Sequence, residues 1–421
     1  MRRPRRTGAL GSALLVAGAV IVTACGSGTS KTGSTPPAAS GSTGAATHGA
    51  AVSGSPVKVG LVNQEGAATG DFTQVTLETL ATGKYINQEL GGISGHPLQV
   101  DSCITDGTPE KSQSCANKLI GDKVVAVMTG VDLGAPAALP LYSGASIPLT
   151  FGAPAQPAEY NDKDAYYALG GTPTQVPAVA EFAKERLHAK KVVSIGTDVP
   201  AAVDAYKTFI AAPLQKLGIQ SSYSKAAAGA ADFAPQVQQA VSQKPDAIVL
   251  LVGPQDCIKV IKALQGAGSS VPAIGTGSCI VPELFTQGAS AGKGFYFTGE
   301  TQQLQQSPST EELQKFLHVN QVYAEQPVSK VDAYSLLGFQ STMDFFDLAN
   351  KIGASKVTPS NIHDFLKATK NQHNWLSTPY TCAGPPIAAF PSICHPDATM
   401  YQFDGKSLVD VGSFNGIKLL G

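Results

Sequence analysis

Acidic and polar side chains follow several of the apolar segments in this sequence. Glu65, Asp132 and Asp198 lie in polar loops just after such segments. Carboxylates in these loops can hold a cation or a hydroxyl-bearing ligand, or they can cap turns and contact no ligand. Phe151 could likewise stack on a ligand and Gln255 could hydrogen-bond to one, or both could pack within their loops. These residue types therefore favour small-molecule binding, and both alternatives stay open.

A serine motif is present as well. Gly288–Gly292 matches the G-x-S-x-G pattern around a nucleophile, here Ser290. A nucleophile elbow follows a strand and opens a helix, whereas Ser290 precedes the apolar segment Gly294–Phe297. The sequence contains no P-loop, no dinucleotide-binding fingerprint and no HExxH motif. We therefore expect that the protein is not an enzyme and has no cofactor, with an enzyme acting through Ser290 as the alternative.

The N-terminus has the features of an export signal. An arginine-rich start, Met1–Arg6, precedes an apolar run, Ala9–Val22, that is too short for a transmembrane helix. The run ends in Val22-Thr23-Ala24-Cys25, which resembles a bacterial lipobox. Residues 1–25 are therefore predicted to be a lipoprotein signal peptide with lipidation at Cys25. A plain signal peptide is the alternative.

The segment after Cys25 has the composition of a tether. Residues 26–55 consist mainly of Gly, Ser, Thr, Ala and Pro, with almost no large apolar side chain. Such a segment cannot bury a core and is predicted to be disordered. A lipid on Cys25 would then hold a globular body at the outer face of the cell membrane, so the predicted localisation is extracytoplasmic.

Six cysteines remain once Cys25 is assigned to the leader. An even number in an exported protein favours disulfides. They fall into local pairs, and local pairing is one of the fifteen connectivities that six cysteines allow. The pairs are Cys103 with Cys115, Cys257 with Cys279, and Cys382 with Cys394. Since no CxxC occurs and the seven histidines are scattered, no metal site is predicted.

The charge balance argues against nucleic acid as a partner. The net charge is −1, and no stripe of Lys or Arg follows the leader. A hydrophobic content of 43% is enough for ordinary cores. Roughly 365 residues after the leader predict two domains of about 150 residues or more.

The globular part opens with a strand, a loop and a helix. Val57–Val62 alternates like a strand, Asn63–Gly66 is a polar loop, and a helical period runs from Phe72 to Leu90. This order is typical of a parallel α/β sheet, and ligands bind at the carboxyl ends of the strands in such sheets.

The alternation of strands and helices then continues in two sets. A crossing is predicted near Gly170–Pro173, between the sets. Three helices without intervening strands follow Ser309, and a hairpin is predicted across Asp404-Gly405. The strands predicted before that hairpin are residues 57–62, 98–103, 124–128, 147–150, 191–196, 219–223, 247–252, 273–274 and 294–297.

This order predicts an α/β protein with two doubly wound parallel-sheet lobes joined by a multi-segment hinge. The first lobe is expected to comprise residues 56–171 and 299–373. The second is expected to comprise residues 172–298 and 374–421. The cleft between them would collect the carboxyl-end loops of both sheets.

Several short segments carry a family resemblance through their order and spacing. They are Val57–Gly60, Ile86-Asn87 with Gly91–Gly95, Lys118–Ile120 before Val124–Val127, Asp232-Phe233, Lys244–Val249 and Ala333-Tyr334. On these segments the chain resembles, over residues 56–421, the type I periplasmic solute-binding proteins of ABC importers. That group includes the branched-chain amino acid-binding proteins. The resemblance implies the type I periplasmic binding protein fold.

The resemblance also implies where a ligand binds. Ligand contacts in that family come from the loops after the strands, which here are residues 63–69, 130–134, 150–154, 198–201, 253–255 and 276–278. The candidate ligand-binding residues in these loops are Gln64, Glu65, Thr69, Asp132, Leu133, Phe151, Gly152, Asp198, Gln255, Thr276 and Ser278. Tyr334 is expected to pack its helix, and the single tryptophan, Trp375, is expected to pack in the core or hinge.

The loops depart from those of the amino-acid binders. Where those proteins use an aromatic residue, hydroxyls, tyrosines and an acid, this sequence has Thr69, Gly134, Pro154, Ala201 and Gly277. A zwitterion would then lose both a carboxylate clamp and an ammonium partner, which are its strongest contacts. We therefore expect a small molecule other than a branched-chain amino acid.

The function implied is that of a lipid-anchored solute-binding protein. It would capture a small molecule between two lobes and deliver it to an ABC importer. Its partners would be the small-molecule ligand, the ABC permease subunits and, through the N-terminal lipid, the membrane. A ligand-sensing receptor on the same scaffold, signalling to a membrane partner, is the alternative.

Overall fold

The computed structural model describes residues 52–67, 70–227, 230–307 and 309–421. The predicted signal peptide, the lipidation site Cys25, most of the predicted tether, and Thr69 lie outside these residues. Within the described ranges, no helix is both long and apolar enough to cross a membrane.

Twelve strands are present in the described residues. They are β1 Val57–Gln64, β2 Leu98–Thr105, β3 Val127–Thr129, β4 Leu149–Thr150, β5 Ala165–Tyr166, β6 Lys191–Thr197, β7 Gln220–Ala226, β8 Ala247–Leu251, β9 Ala273–Gly275, β10 Tyr296–Gly299, β11 Ala398–Phe403 and β12 Leu408–Phe414.

Thirteen α-helices accompany these strands over the same ranges. They are α1 Thr73–Gln88, α2 Pro109–Gly121, α3 Leu139–Gly144, α4 Pro157–Tyr160, α5 Thr172–Glu185, α6 Pro200–Ala205, α7 Ala212–Lys216, α8 Ala234–Ser242, α9 Pro254–Gly266, α10 Pro282–Thr286, α11 Glu311–Val319, α12 Ala333–Ile352 and α13 Pro359–Ala368. A π-helical segment, Tyr206–Ala211, joins α6 to α7, and another, Asn320–Ala324, extends α11.

The strands form two sheets. The first has the order β2-β1-β3-β4-β5 and is parallel throughout. The second has the order β12-β11-β10-β9-β8-β6-β7. Its strands β6 to β10 are parallel, and the β11–β12 hairpin adds two antiparallel strands at the β10 edge. The predicted fold class is confirmed, with one correction: the second sheet is mixed, because the terminal hairpin pairs with β10.

The core of the first sheet includes helices from two distant parts of the chain. Val59 and Met128 of the sheet share one buried cluster with Ile86 of α1 and Phe339 of α12. At Gly338 an added Cβ would lie 2.5 Å from the Val75 carbonyl oxygen, so a glycine there permits the close approach of α12 to α1. The late helices therefore complete the first sheet, although they follow the second sheet in sequence.

The second sheet is buried on both faces. Val193 and Leu250 contribute to one core cluster, which packs on α8 and α9. Val192 and Val249 contribute to another, which includes α5 and the C-terminal residues. Such continuous apolar runs are typical of central parallel strands.

The chain passes between the sheets three times, through residues 167–171, 300–310 and 369–397. The passages are hydrogen-bonded to one another. The Gly170 N–H donates to the Glu300 carboxylate at 2.7 Å, and the Ser377 hydroxyl donates to the Glu300 carbonyl at 2.5 Å. Leu376 and Tyr380 pack with the first-sheet core, whereas Ile393 packs with that of the second. The lobe boundaries expected from the sequence stay a prediction.

Three disulfides are present, and they join the local pairs that the sequence predicted: Cys103–Cys115, Cys257–Cys279 and Cys382–Cys394. The first links β2 to α2, and the third lies within the last passage between the sheets. The second links the start of α9 to a 3₁₀ turn, Gly277–Cys279, that follows β9.

Candidate functional site

A cavity of about 600 Å³ lies where the carboxyl ends of both sets of strands meet. Its size is within the range of cavities that hold drug-sized ligands. Segments from both sheets and from the passages between them line it. It is therefore the cleft that the strand–loop–helix pattern predicted.

The wall from the first sheet is mostly apolar. Val131 follows β3, Pro154 follows β4, and Leu337 comes from α12. Phe72 and Tyr334 complete this wall and pack edge to face, with ring centroids 4.9 Å apart. These side chains offer contact area and few hydrogen bonds to a ligand.

The wall from the second sheet contains several hydroxyls, and two of them lie side by side. Thr276 and Ser278 follow β9, and their hydroxyl oxygens are 2.8 Å apart. Ser278 also donates to the Val252 carbonyl at 3.5 Å, in the loop after β8. The Cys257–Cys279 disulfide joins the same two segments covalently. Both loops are thus held in place before any ligand arrives.

The buried carboxyl group of Glu300 lies where a passage between the sheets borders the cavity. Glu300 is only 6% exposed and follows β10. Its oxygens accept hydrogen bonds from the Gly170 N–H, the Gly171 N–H and the Gln175 amide, at 2.7, 3.0 and 2.9 Å. Burial raises the pKa of Glu300 to about 8, although these hydrogen bonds act in the opposite direction. Glu300 thereby joins two passages between the sheets just ahead of α5.

A second carboxylate caps the helix on the opposite wall. Asp332 is the N-cap of α12 and accepts hydrogen bonds from the Tyr334 and Ser335 N–H groups, both at 3.0 Å. Burial raises the pKa of Asp332 above its ordinary value, and these hydrogen bonds lower it. An acid at the start of a helix satisfies donors that have no partner within the helix.

The carboxyl groups at the cavity have no basic side chain beside them in the described lining. Glu283, Glu300 and Asp332 line the cavity, and none of the lining residues in the described part of the chain is a lysine, arginine or histidine. Glu283 is exposed, in the first turn of α10. The site therefore has no side-chain cation with which to hold an anionic group.

The candidate residues from the sequence that the structure describes fall into four groups. Thr276 and Ser278 line the cavity. Gln64 and Asp132 are buried beside it in the interior of the first sheet's loops. Gln64 accepts a hydrogen bond from the Leu133 N–H at 3.2 Å, and Asp132 accepts one from the Thr105 hydroxyl and one from the Ser112 hydroxyl, both at 2.9 Å. These two side chains order the loops after β1 and β3.

Phe151 and Gly152 also lie away from the cavity. Phe151 is 1% exposed and packs edge to face against Tyr380 in the core. Gly152 has φ 86°, and an added Cβ there would be 2.2 Å from the Thr129 carbonyl oxygen. This turn directs the phenyl ring of Phe151 inward.

The other candidates are not among the lining residues of the described chain. Asp198 is exposed and pairs with Lys225 at 3.1 Å. Gln255 is exposed in the first turn of α9, next to Gly253 and Pro254, which do line the cavity. Glu65 and Leu133 are half-buried in the loops that Gln64 organises. A ligand role for each of these residues stays a prediction.

Ser290, the nucleophile of the alternative enzyme hypothesis, lies outside the described lining of the cavity. It is exposed in a turn after α10. It follows a helix and precedes β10, which is the order that the sequence indicated.

Several lining residues were not among the sequence candidates: Phe72, Gln175, Glu300, Gln303 and Tyr334. Glu300 lies three residues after the strand predicted at residues 294–297, so the carboxyl-end rule could have found it. Tyr334 was expected to pack its helix. Its ring packs α12 against Phe72, the N-cap residue of α1. Its position at the cavity depends on how α12 packs on α1, for which the sequence carries no local signal.

Comparison with known proteins places this geometry in a family. The family model described as periplasmic binding protein matches residues 56–390. None of the curated proteins matches the chain.

Solved structures share the fold at low sequence identity. A leucine-binding protein from Thermotoga maritima is 19% identical, with a TM-score of 0.65, over 85% of this chain and 99% of that one. An ABC transporter substrate-binding protein from Sphaerobacter thermophilus is 16% identical, with a TM-score of 0.72, over 86% and 98%. A solute-binding protein from R. palustris in complex with 4-hydroxybenzoate is 19% identical, with a TM-score of 0.67, over 86% and 97%.

Proposed function

Because the chain belongs to the periplasmic binding protein family, we propose that it captures a small molecule in the cavity between its sheets and delivers it to an ABC importer. The observation that carries this proposal is the position of the cavity. Loops at the carboxyl ends of both sets of strands line it, and two hydrogen-bonded passages between the sheets border it. Ligands of open α/β sheets bind at such ends.

The lobes predicted at residues 56–171 with 299–373, and 172–298 with 374–421, would close on the ligand by a hinge motion. A ligand drives closure only if it binds the closed form more tightly than the open form. Walls contributed by both sheets, such as Tyr334 and Thr276, provide that difference, since a ligand touching both gains contacts as they approach.

The predicted leader places this activity outside the cytoplasm. Lipidation of Cys25 would hold the protein on the membrane, close to the permease. Replacing Cys25 with serine in the producing cell should release the protein into the soluble extracytoplasmic fraction. Retention of Cys25→Ser in the membrane fraction would contradict the lipid anchor and leave ligand binding untouched.

Native mass spectrometry of the protein purified from its producing cell tests ligand capture. The expected result is a bound small molecule that is lost on denaturation. Ala202 lines the cavity, and Ala202→Trp should block it, whereas Ala368→Trp places the same ring on the exposed side of α13. Absence of any bound small molecule from the wild-type protein, or equal occupancy in Ala202→Trp, would overturn the proposal.

A further inference from the structure

We infer that the cavity takes an uncharged, mainly apolar molecule and discriminates against carboxylates and zwitterions. This inference rests on the proposed function and names the class of its ligand. It follows from the walls of the cavity, from the charges that border it, and from the hydrogen bonds that two of its carboxyl groups already make.

The first argument concerns the absence of a cation. A carboxylate that leaves water needs a cation or several N–H donors in return, because burying an unpaired charge is costly. Among the described residues, the cavity lining contains no lysine, arginine or histidine. Any cation partner for a bound carboxylate would have to come from outside the lining.

The second argument concerns the helix starts. The N-terminal turn of α12 borders the cavity, and N–H groups there could hold an anion. Asp332 already accepts hydrogen bonds from the Tyr334 and Ser335 N–H groups in that turn. Glu300 likewise accepts from the Gly170 and Gly171 N–H groups just ahead of α5. At these two places a ligand carboxylate would meet a carboxyl group of the chain and no free donor.

The third argument concerns a cationic ligand. Glu300 is buried and hydrogen-bonded to Gly170, Gly171 and Gln175, and its raised pKa leaves it largely uncharged at neutral pH. Asp332 is half-buried and accepts its capping hydrogen bonds on Oδ1, and Glu283, which lines the rim, is exposed. Water at these two carboxylates weakens their attraction for a cation. None of the three acids therefore offers a buried charged partner to an ammonium group.

The fourth argument concerns the contacts that are left. Phe72, Val131, Pro154, Tyr334 and Leu337 form an apolar wall, and uncharged hydroxyl and amide side chains supply most of the remaining polar lining, with Thr276 and Ser278 side by side among them. The two hydroxyls already bond to each other, which limits what they can give to a ligand. A molecule with a large apolar surface and one or two polar atoms matches this arrangement.

A series on one skeleton tests the inference by isothermal titration calorimetry at neutral pH. The probes are 2-naphthamide, 2-naphthoate and 2-naphthylmethylammonium, with leucine as the zwitterion. We expect 2-naphthamide to bind about tenfold more tightly than any charged member, because juxtaposed like charges and unpaired buried ions oppose the others. Loss of 2-naphthamide binding in Ala202→Trp, with retention in Ala368→Trp, would place the probe in the cavity.

A second experiment introduces a positively charged side chain into the cavity lining. Thr276→Lys adds an ammonium group to the lining, and Thr276→Met adds a side chain of similar length without charge. Thr276→Lys should bind 2-naphthoate about tenfold more tightly than Thr276→Met, because an opposite charge now faces the carboxylate.

The possible results distinguish the inferred ligand class from the proposed solute-binding function. Binding of 2-naphthoate, 2-naphthylmethylammonium or leucine at least as tightly as 2-naphthamide would overturn the ligand class and support a solute-binding cavity. If Ala202→Trp still binds 2-naphthamide as tightly as wild type, the probe binds outside the cavity. That result would overturn the inferred ligand class for this cavity. Binding of no probe, together with no small molecule on the protein from its producing cell, would overturn both.

Discussion

Cys257 and Cys279 form a disulfide that joins the start of α9 to the 3₁₀ turn after β9. Both cysteines are fully buried, and Gly253, Thr276 and Ser278 beside them line the cavity. The bond therefore fixes the relative position of two loops on one wall of the site. It takes no part in chemistry, but it lowers the entropy that these loops have to lose when a ligand binds.

Removing this disulfide should weaken both stability and binding. Cys257→Ser/Cys279→Ser is expected to lose about 2–4 kcal/mol in the free energy of unfolding. It should also bind 2-naphthamide less tightly, because the two loops become free to move. Cys103→Ser/Cys115→Ser is the matched control, since Cys103 and Cys115 are not among the described lining residues. An equal loss of affinity in both double variants, measured by calorimetry, would contradict this role.

Glu300 should make stability depend on pH. Burial raises its pKa from 4.5 to about 8 in the folded protein. The stabilisation from the protonated form is then fully present below about pH 4.5 and is lost as the pH rises through about 8. Glu300→Gln cannot titrate, so the stability of wild type minus that of the variant should fall between about pH 5 and about pH 9.

Urea unfolding of both proteins across this range measures the difference directly. Glu78 and Glu159, whose pKa values burial raises to about 7, are present in both proteins, so their contributions cancel. A difference that rises with pH would show that the hydrogen bonds from Gly170, Gly171 and Gln175 outweigh burial.

Asp332 should support α12 through its hydrogen bonds. Asp332→Ala removes the acceptor for the Tyr334 and Ser335 N–H groups and should cost about 1 kcal/mol of stability. Asp332→Asn keeps a good N-cap and removes only the charge. It should therefore unfold at nearly the wild-type urea concentration while binding 2-naphthoate more tightly. Equal destabilisation by both substitutions would show that the charge, and not the capping hydrogen bonds, stabilises the helix.

Tyr334 should bind a ligand through its ring. Tyr334→Ala removes a face of the cavity that packs on Phe72 and should weaken 2-naphthamide binding about tenfold, since a lost aromatic contact is worth roughly 1–2 kcal/mol. Tyr334→Phe keeps the ring and should remain within about twofold of wild type. If calorimetry shows the same loss for both variants, the hydroxyl and not the ring makes the contact.

Gly338 should be intolerant of any side chain. Its added Cβ would lie 2.5 Å from the Val75 carbonyl oxygen and 3.1 Å from the Thr79 nitrogen, and backbone atoms cannot move aside cheaply. Gly338→Ala is expected to cost about 1–3 kcal/mol in urea unfolding. Gly266 is the control, because it ends α9 with no atom of the described chain within 4 Å of its added Cβ. Gly266→Ala should be neutral or slightly stabilising.

Much of the fold could be predicted from local patterns. Every strand expected before the terminal hairpin is present, since alternating or continuous apolar runs such as Val57–Val62 and Ala247–Val252 are local properties. The short strand β5, Ala165–Tyr166, was not expected, because two residues cannot show a period. The three disulfides match the local pairing that proximity in sequence and an even count favoured.

The site was predicted as a region more successfully than as a set of side chains. Phe151 lies in an expected loop, yet a backbone φ of 56° directs its ring toward Tyr380. Asp132 lies in another expected loop, and its carboxylate accepts hydrogen bonds from the Thr105 and Ser112 hydroxyls. Which way a loop side chain points depends on partners far away in sequence.

The sequence by itself therefore determined the order of strands and helices and the family to which the chain belongs. Only the tertiary structure decided which cysteines pair, that Glu300 bonds to the residues ahead of α5, that Asp332 caps α12 and that Tyr334 faces the cavity. The physical reason is that periodic burial is written into neighbouring residues, whereas hydrogen bonds and contacts at the site join residues that meet only when two sheets and a late helix pack together.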